Sequence, residues 1–528
     1  MAGPQIQADD VRPTVIEQGR SLYLNGTLPS GAPIQGDIQG ATPVNGTVFK
    51  CAGCHRRSGL GSSEGNKLAP PVTGRALYTA RQKQHREWPD AGIGNPGTRP
   101  AYTDATLGRA LREGIDAAGR SLDPLMPRYA LDDEQLAALI AYLKTLGSGQ
   151  PPGLTDETLH LATIVTPDAD PARRDTMLQV LTTFFEDKNA QTRHEPQRAA
   201  HAPWHLDWKY AAYRRIQLHV WNLEGAADDW PRQLEGHYAA RPVFAVVSGI
   251  GGEDWQPIHA FCEARELPCL FPNTAVPGVG DGGFYSVYFT EGVSLEARVA
   301  ARFLDSAGLT QKPVLQLFTD AAWSRTAAAA LRKSLATPPL ELALSTRVTP
   351  EESSAWRSLL RERRPRAVVF WGTRDQLLTL LADDAMTTAD SPTLLLSSMQ
   401  SWPQTATARA DIGPDAYLIY PYALTHQPAR GEARTQAWLR SRKLEPRDMR
   451  TALNTYFAAT ITTGAINMLI NRFSREYLIE RIEHGTENAL SSGAFPHLSL
   501  GPNQRHASKG AYIVRLTDPE SEVEWIVP

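Results

Sequence analysis

The amino-acid sequence predicts a multidomain protein in which a small all-α domain precedes a larger α/β part with two lobes. The chain has 528 residues, and at about 150 residues per domain this length accommodates three to four folding units. A stretch rich in glycine and proline, Gly147-Ser-Gly-Gln-Pro-Pro-Gly-Leu-Thr, has the composition of a linker. At this stretch the apolar pattern changes from helical spacing to short runs that alternate with helical segments.

Before the linker, apolar residues recur at the spacing of α-helices. A helix is predicted over residues 13–24, because Pro13 suits a first helical turn. Residues 104–118 and a segment that begins at Leu131 are predicted as two further helices, the last with acidic residues in its first turn. The rest of this part is rich in glycine and proline and is predicted to be mostly irregular.

After the linker, the pattern is that of α/β proteins. Short apolar runs predict strands at residues 161–166, 216–221, 243–247, 314–318, 367–371 and 393–396. Helical segments lie between these runs, and such alternation is typical of βαβ units with mostly parallel sheets. The stretch is too long for one typical sheet, so two lobes are expected. The predicted domains are residues 10–147, a linker at 148–159, and residues 160–528.

The composition excludes several classes of protein. Hydrophobic residues make up 42% and charged residues 21% of the chain, a globular mix that excludes a disordered protein. Basic residues number 54 and acidic residues 57, so no strong field attracts nucleic acid or an anionic membrane. No apolar run approaches the roughly 18 residues that a membrane span needs. No signal peptide is visible at the N-terminus, which taken alone favours the cytosol.

The motif Cys51-Ala-Gly-Cys54-His55 is the attachment signature of a c-type haem. Two thiols separated by two residues reach the two vinyl groups of one porphyrin, and the adjacent histidine then lies under the iron. A zinc site would need a second ligand pair nearby, and no other cysteine lies in this part of the chain. A redox Cys-x-x-Cys motif belongs to a βαβ context, which is missing here. The motif predicts one covalent haem c, with His55 as iron ligand.

The sixth iron ligand is predicted to be Met126. It is the only methionine of the first domain apart from Met1, and thioether sulfur is a common partner of histidine in electron-transfer haems. It sits in the loop Asp123-Pro-Leu-Met126-Pro, which is a poor place for a methionine that merely fills a core. His85 is the alternative ligand.

Residues 13–147 resemble a class I cytochrome c domain. The similarity extends beyond the haem motif to Gly19-Arg-Ser-Leu-Tyr23 before it, Ala69-Pro-Pro-Val-Thr-Gly74 after it, and the stretch from Met126 into the last helix. The resemblance implies that Pro70 or Pro71 orients His55. A long loop between Asn25 and Phe49 departs from the compact family pattern.

Residues 160–528 resemble the type I periplasmic solute-binding proteins, the group that includes the binders of branched-chain amino acids. The resemblance rests on the strand at 160–166, on Phe244-Ala-Val-Val-Ser-Gly249, and on a late hairpin around residues 500–515, among other segments. It implies two α/β lobes joined by three crossings, with a small-molecule ligand in the cleft where the strands end.

The resemblance also suggests candidate cleft residues. Those that match positions offering hydroxyls and amides to a ligand are Ser248, Gly249, Asn273 and Thr274, and the aromatic residues at strand ends are Trp323, Trp371 and Tyr420. Turn capping and packing at the lobe edge are alternative roles for them. Asp320 and Glu291 are the nearest candidates to pair with an amino-acid ammonium group, and neither is a clear one.

Two further features depart from that pattern. Cys262 lies late in a helix and Cys269 at the start of the next strand, so a disulfide between them is predicted, with two buried thiols as the alternative. An insertion at residues 189–214 contains His194, His201 and His205, whose spacing fits a solvated or packing segment better than a metal site.

The sequence therefore predicts a periplasmic monohaem c-type cytochrome for electron transfer, fused to a small-molecule-binding module that regulates or targets it. Ligation by His55 and Met126 leaves no open iron position, which favours electron transfer. The alternatives are a solute-binding protein for ABC-type uptake with an accessory haem domain and, less favoured, a haem enzyme such as a peroxidase. Another cytochrome or a periplasmic quinoprotein dehydrogenase is the expected redox partner. Covalent haem attachment requires export, so the bacterial periplasm is expected although no signal peptide is visible.

Overall fold

A computed structural model describes most of the chain. The described residues are 14–38, 40–64, 67–81, 98–192, 214–252, 254–278, 283–381, 391–399, 415–424, 431–470, 472–488, 494–516 and 523–528. Two compact units make up the chain. Unit 1 comprises Met1–Pro151 together with Arg472–Glu480, and unit 2 comprises Pro152–Asn471 together with Arg481–Pro528.

The N-terminal part of unit 1 is mainly helical, but it is not all-α as predicted. Its helices are α1 (Val15–Asn25), α2 (Cys51–His55), α3 (Gly74–Tyr78), α4 (Asp104–Glu113) and α5 (Asp133–Thr145). Its strands are β1 (Gln35–Ile38), β2 (Thr42–Asn45), β3 (Ser62–Glu64), β4 (Lys67–Ala69) and β5 (Arg128–Tyr129). The strands form an antiparallel sheet in the order β2-β1-β5 and a β3-β4 hairpin. The loop after α1 is thus folded as a hairpin that pairs with the segment after Met126.

Local signals fix the ends of these helices. Helix α1 begins with a capping box between Thr14 and Glu17, in which each side chain bonds the backbone of the other. Helix α4 ends at Gly114, whose φ of 72° is left-handed, so the helix is shorter than the predicted 104–118. Gly19 allows α1 to approach α5 closely, since a Cβ there would lie 2.0 Å from the carbonyl oxygen of Ala138.

Unit 2 has the predicted two-sheet α/β organisation, and each of the six predicted strands is present. Its strands are β6 (Thr158–Val165), β7 (Arg215–Asn222), β8 (Ala245–Val247), β9 (Cys269–Leu270), β10 (Ser286–Val287), β11 (Val314–Thr319), β12 (Leu340–Leu344), β13 (Ala367–Trp371), β14 (Thr393–Ser397), β15 (Ala416–Tyr420), β16 (Ala511–Arg515) and β17 (Val523–Ile526). Its helices are α6 (Pro171–Thr192), α7 (Trp230–Ala240), α8 (Gln256–Ala264), α9 (Val293–Ser306), α10 (Ala322–Ser334), α11 (Pro350–Arg363), α12 (Arg374–Leu381), α13 (Glu432–Ser441) and α14 (Met449–Leu469). A further helix, α15 (Arg475–Asn488), follows α14.

The strands of unit 2 form one sheet in each lobe. The first sheet is parallel, in the order β10-β9-β8-β6-β7. The second has the order β12-β11-β13-β14-β15-β16-β17, with five parallel strands followed by antiparallel β16 and β17. Parallel strands end at a common edge, and this edge is where ligands bind in open α/β sheets.

The predicted late hairpin around residues 500–515 differs from the structure. Strand β16 pairs with β15 on one side and with β17 on the other, and no strand forms over residues 500–505. The pairing therefore uses the C-terminal residues of the chain. None of the helices in the described part of the chain combines the length and the apolar character of a membrane span.

Candidate functional site

Helix α2 is a single turn that presents the two thiols of the Cys-x-x-Cys-His motif. Cys51 is half-buried and Cys54 is exposed, while His55 at the end of the turn is buried, with 7% of its surface accessible. Residues three apart in a helix lie on the same face. The two cysteines are thus neighbours at the surface, with the imidazole directed into the protein.

The imidazole of His55 is oriented by a backbone carbonyl. Its Nδ1 lies 2.8 Å from the carbonyl oxygen of Pro70, so Nδ1 is the donor and Nε2 remains for a metal. Burial lowers the pKa of His55 below its ordinary 6.5, and the hydrogen bond to Pro70 opposes this shift. The neutral imidazole is the form that ligates iron. Of the two prolines suggested from the sequence, Pro70 makes this contact.

The backbone that follows α2 is held by several side chains. The Tyr23 hydroxyl donates a 2.7 Å hydrogen bond to the carbonyl of Arg56, a residue with a left-handed φ of 63°. The Ser62 hydroxyl donates a 2.7 Å bond to the carbonyl of Cys54, and the Gly61 amide donates to the carbonyl of His55 at 3.0 Å. These bonds fix the turn that positions the motif.

Glu480 is a residue of this unit that the sequence analysis missed. Its carboxylate accepts a 2.9 Å bond from the Ser58 amide and a 2.6 Å bond from the Ser58 hydroxyl. Ser58 lies only three residues after His55. No sequence signal links positions 422 residues apart, so this contact was not predictable.

Met126 lies in the turn between α4 and α5. It is half-buried and packs against the apolar cluster of unit 1, and Cys51 borders the same cluster. A side-chain nitrogen of Arg128 donates to the Met126 carbonyl, which holds the turn. The alternative ligand His85 lies outside the described residues.

The donor set fits a haem. Cys51 and the Met126 thioether border a single apolar cluster, and the Cys54 thiol and the buried His55 imidazole, whose tautomer is defined, lie in the same helical turn as Cys51. The described residues contain no group of three or more histidine, cysteine or acidic side chains that would hold a metal ion directly. Tyr129 is buried beside both cysteines: its pKa is raised first by burial and then by Cys51 and Cys54. Burial raises the pKa of the Cys51 thiol to about 12.

The candidate cleft residues of the first sheet lie close together. Ser248 is 0% and Asn273 3% exposed, and the Asn273 amide donates a 3.1 Å bond to the Ser248 hydroxyl. Both also bond α14, with Ser248 3.2 Å from the Thr455 hydroxyl and Asn454 donating to Asn273 at 3.3 Å. The two side chains therefore face a helix in the described structure.

The other candidates differ in exposure. Gly249 is buried against Trp255, whereas Thr274 is half-buried and its hydroxyl bonds the carbonyl of Val276. In the second sheet, Trp371 is buried and its indole donates to Gln316 at 3.3 Å. Trp323 and Tyr420 are half-buried at the same edge.

Two charged residues at that edge were missed from the sequence. Glu296, in the first turn of α9, accepts hydrogen bonds from Ser397 and Ser398 just at the end of β14. Arg450, in the first turn of α14, lies over the ring of Tyr422 at 3.7 Å from its centroid. Arg450 belongs to no motif, and acidic residues are common in first turns, so neither position stood out.

The disulfide predicted between Cys262 and Cys269 is absent from the structure. Both cysteines are buried, and no bond joins their sulfur atoms. They pack with Trp255, Leu267 and Tyr288 in the apolar cluster of the first lobe. There they act as small apolar side chains, the common role of buried cysteine. Of the insertion at 189–214, residues 193–213 lie outside the described part of the chain.

Comparison with known proteins identifies the first part of the chain. Residues 46–147 match the sequence model of the cytochrome c family, described as "Cytochrome c", so this chain contains a cytochrome c domain. The family implies a covalently bound haem c. Among curated proteins, none matches this chain.

The chain is also similar to solved structures of binding proteins. A possible leucine/isoleucine/valine-binding protein from Rhodopirellula baltica SH 1 has 15% identity and a TM-score of 0.48, covering 72% of this chain and 98% of its own. A fatty acid ABC transporter substrate-binding protein from Thermomonospora curvata has 16% identity and a TM-score of 0.48, covering 72% and 94%. A branched-chain amino acid transporter substrate-binding protein from Streptococcus pneumoniae, in complex with isoleucine, has 12% identity and a TM-score of 0.46, covering 70% and 100%.

Proposed function

We propose that this protein, whose residues 46–147 form a cytochrome c domain, is a monohaem electron carrier of the bacterial periplasm. The observation that supports this most directly is the buried imidazole of His55, which donates from Nδ1 to Pro70 and keeps Nε2 for iron. Cys51 and Cys54 would hold the haem by thioether bonds, and His55 and Met126 would ligate the iron. When bound, the haem supplies a one-electron redox couple.

The residues around the haem motif suit electron transfer rather than the activation of a substrate at the iron. Ligation by both His55 and Met126 would leave no open iron position, and the apolar cluster beside Cys51 and Met126 would limit the access of water to a bound haem. Cys54 is exposed while Cys51 is half-buried, so a haem held by both thiols would have its Cys54 attachment nearer to solvent. Electrons would cross there to a partner such as another cytochrome or a periplasmic quinoprotein dehydrogenase.

We further propose that unit 2 binds a small organic molecule, which regulates or targets the cytochrome. The support is its architecture, since the parallel strands of both sheets end at edges that carry polar and aromatic side chains. Such edges are where open α/β sheets bind ligands.

The test is the optical spectrum of the holoprotein, produced in a host that attaches haem. One haem per chain is expected from the haemochrome assay, with a low-spin spectrum and a weak sulfur-to-iron charge-transfer band. Met126→Ala should abolish that band and leave the haem attached. A high-spin resting spectrum in the wild type would contradict the electron-carrier proposal and favour a haem enzyme.

A further inference from the structure

Arg450 is a half-buried cation at the carboxyl edge of the second sheet. Its guanidinium lies 3.7 Å from the ring centroid of Tyr422 and 5.9 Å from that of Tyr420. Among the described residues Arg450 forms no salt bridge; Asp448, two residues earlier, acts on it only through its charge and accepts a 2.7 Å hydrogen bond from the Thr451 amide. Buried arginine is nearly always paired with an anion, because a desolvated charge without a counter-charge is costly.

Glu296 is a second carboxylate that senses the charge of Arg450, and it is engaged elsewhere. It is 3% exposed and accepts three hydrogen bonds: from the Ser397 hydroxyl at 2.7 Å, the Ser398 amide at 3.0 Å and the Ser398 hydroxyl at 2.5 Å. Burial raises the pKa of Glu296, against the effect of these bonds and of Arg450. Glu296 therefore fixes the end of β14 and leaves Arg450 available to a ligand.

Arg450 is also placed where both lobes meet. Tyr420 ends β15 and Ser397 ends β14, so Arg450 lies at the edge where the parallel strands of the second sheet finish. Its own helix, α14, bonds the ends of the first sheet through Thr455 and Asn454. One residue thus belongs to the helix of one lobe and contacts the strand end of the other.

We infer that Arg450 is the anchor of an anion subsite that takes the carboxylate of a small organic acid. This inference rests on the proposed ligand-binding function of unit 2. A guanidinium matches a carboxylate with two parallel hydrogen bonds, and the rings of Tyr420 and Tyr422 offer an apolar surface for the rest of the molecule.

Among the described residues of this edge, the acidic candidates considered from the sequence, and Glu296, offer no partner for an ammonium group. Glu291 is paired with Arg298 at 2.6 Å, and Glu296 is saturated by Ser397 and Ser398. Asp320 is exposed. The subsite therefore recognises the acid group, and an α-amino group is not needed for binding.

The experiment compares matched acids and amides on the full-length holoprotein by titration calorimetry. The probes are benzoate with benzamide and isovalerate with isovaleramide, with leucine as the amino-acid member. The wild type should bind at least one of the acids. It should bind the corresponding amide at least about tenfold more weakly, since a charge-assisted hydrogen-bonded pair is lost. Arg450→Gln should weaken the binding of that acid by a similar factor, and Arg450→Lys should weaken it by less. Arg447→Gln, an equal change of charge at an exposed site nearby, should leave binding unchanged.

The outcomes separate the two proposals. Equal binding of an acid and its amide, or equal binding by wild type and a folded Arg450→Gln, overturns the anion subsite and leaves the binding module standing. Tighter binding of leucine than of isovalerate overturns the claim that the amino group is not needed. Failure of every probe, charged and neutral, to bind the wild type overturns both proposals. The acid-amide comparison on the wild type holds even if the variants do not fold.

Discussion

Glu480 and Ser58 are joined by two hydrogen bonds, although 422 residues separate them in the sequence. Both the amide and the hydroxyl of Ser58 donate to the carboxylate, so one side chain fixes one turn of backbone. That turn follows His55 by three residues. The position of the haem motif therefore depends on a carboxylate from the far end of the chain.

Removing this carboxylate should loosen the turn. Glu480→Ala is expected to lower the free energy of unfolding of the holoprotein by about 2 kcal/mol, because two hydrogen bonds to a charged acceptor are lost. Denaturant unfolding followed by haem absorbance measures it. Glu113→Ala, at an exposed site of the same unit, should change the value little. A double-mutant cycle with Ser58→Ala that gave no interaction energy would show that the contact does not stabilise the protein.

Gly61 should be irreplaceable for a steric reason. Its φ is 83°, and a Cβ there would lie 2.1 Å from the carbonyl oxygen of Ala69. Gly61→Ala is expected to cost on the order of 3 kcal/mol and to lower the yield of attached haem. Gly31 is the matched control, since its φ is 81° and no atom lies within 4 Å of its Cβ position. Equal losses in the two variants would assign the effect to φ alone.

The buried carboxyl of Glu296 should make stability depend on pH. Burial raises its pKa above the ordinary 4.5, so the folded protein keeps this proton to higher pH than the unfolded chain does. The contribution of Glu296 to the free energy of unfolding is therefore fully present below pH 4.5, and it is lost as the pH rises through the pKa of Glu296 in the folded protein. Glu296→Gln should remove this decline, as seen by urea unfolding between about pH 4 and about pH 8. The exposed Glu351→Gln should keep the wild-type profile.

The two cysteines of unit 2 should react as thiols once the protein is unfolded. Without reductant, the unfolded holoprotein is expected to take up two thiol labels, because Cys51 and Cys54 are held in thioethers and Cys262 and Cys269 are not bonded to each other. Mass spectrometry counts the labels. Cys262→Ser should reduce the count to one label. If the wild type took up no label, Cys262 and Cys269 would be joined by a disulfide.

The sequence predicts well those features that depend on residues close together in the chain. The haem motif lies within five consecutive residues, and the tendency of Asn273 to meet Ser248 follows from adjacent parallel strands. The burial of that pair depends on α14, whose Thr455 lies 207 residues from Ser248, and no local pattern shows it. The end of α4 was misjudged because Gly114 stops the helix, although apolar residues continue beyond it.

Unit 1 includes Arg472–Glu480, so it cannot be complete until most of the chain has been synthesised. A chain leaves the ribosome from its N-terminus, so the cysteines emerge long before Glu480 does. During that interval the turn after His55 lacks the two hydrogen bonds between Ser58 and Glu480. Haem attachment would then act on a loosely held motif, and the arrival of Glu480 would close it. A gene fragment that stops at the linker would encode a domain permanently held at that earlier stage.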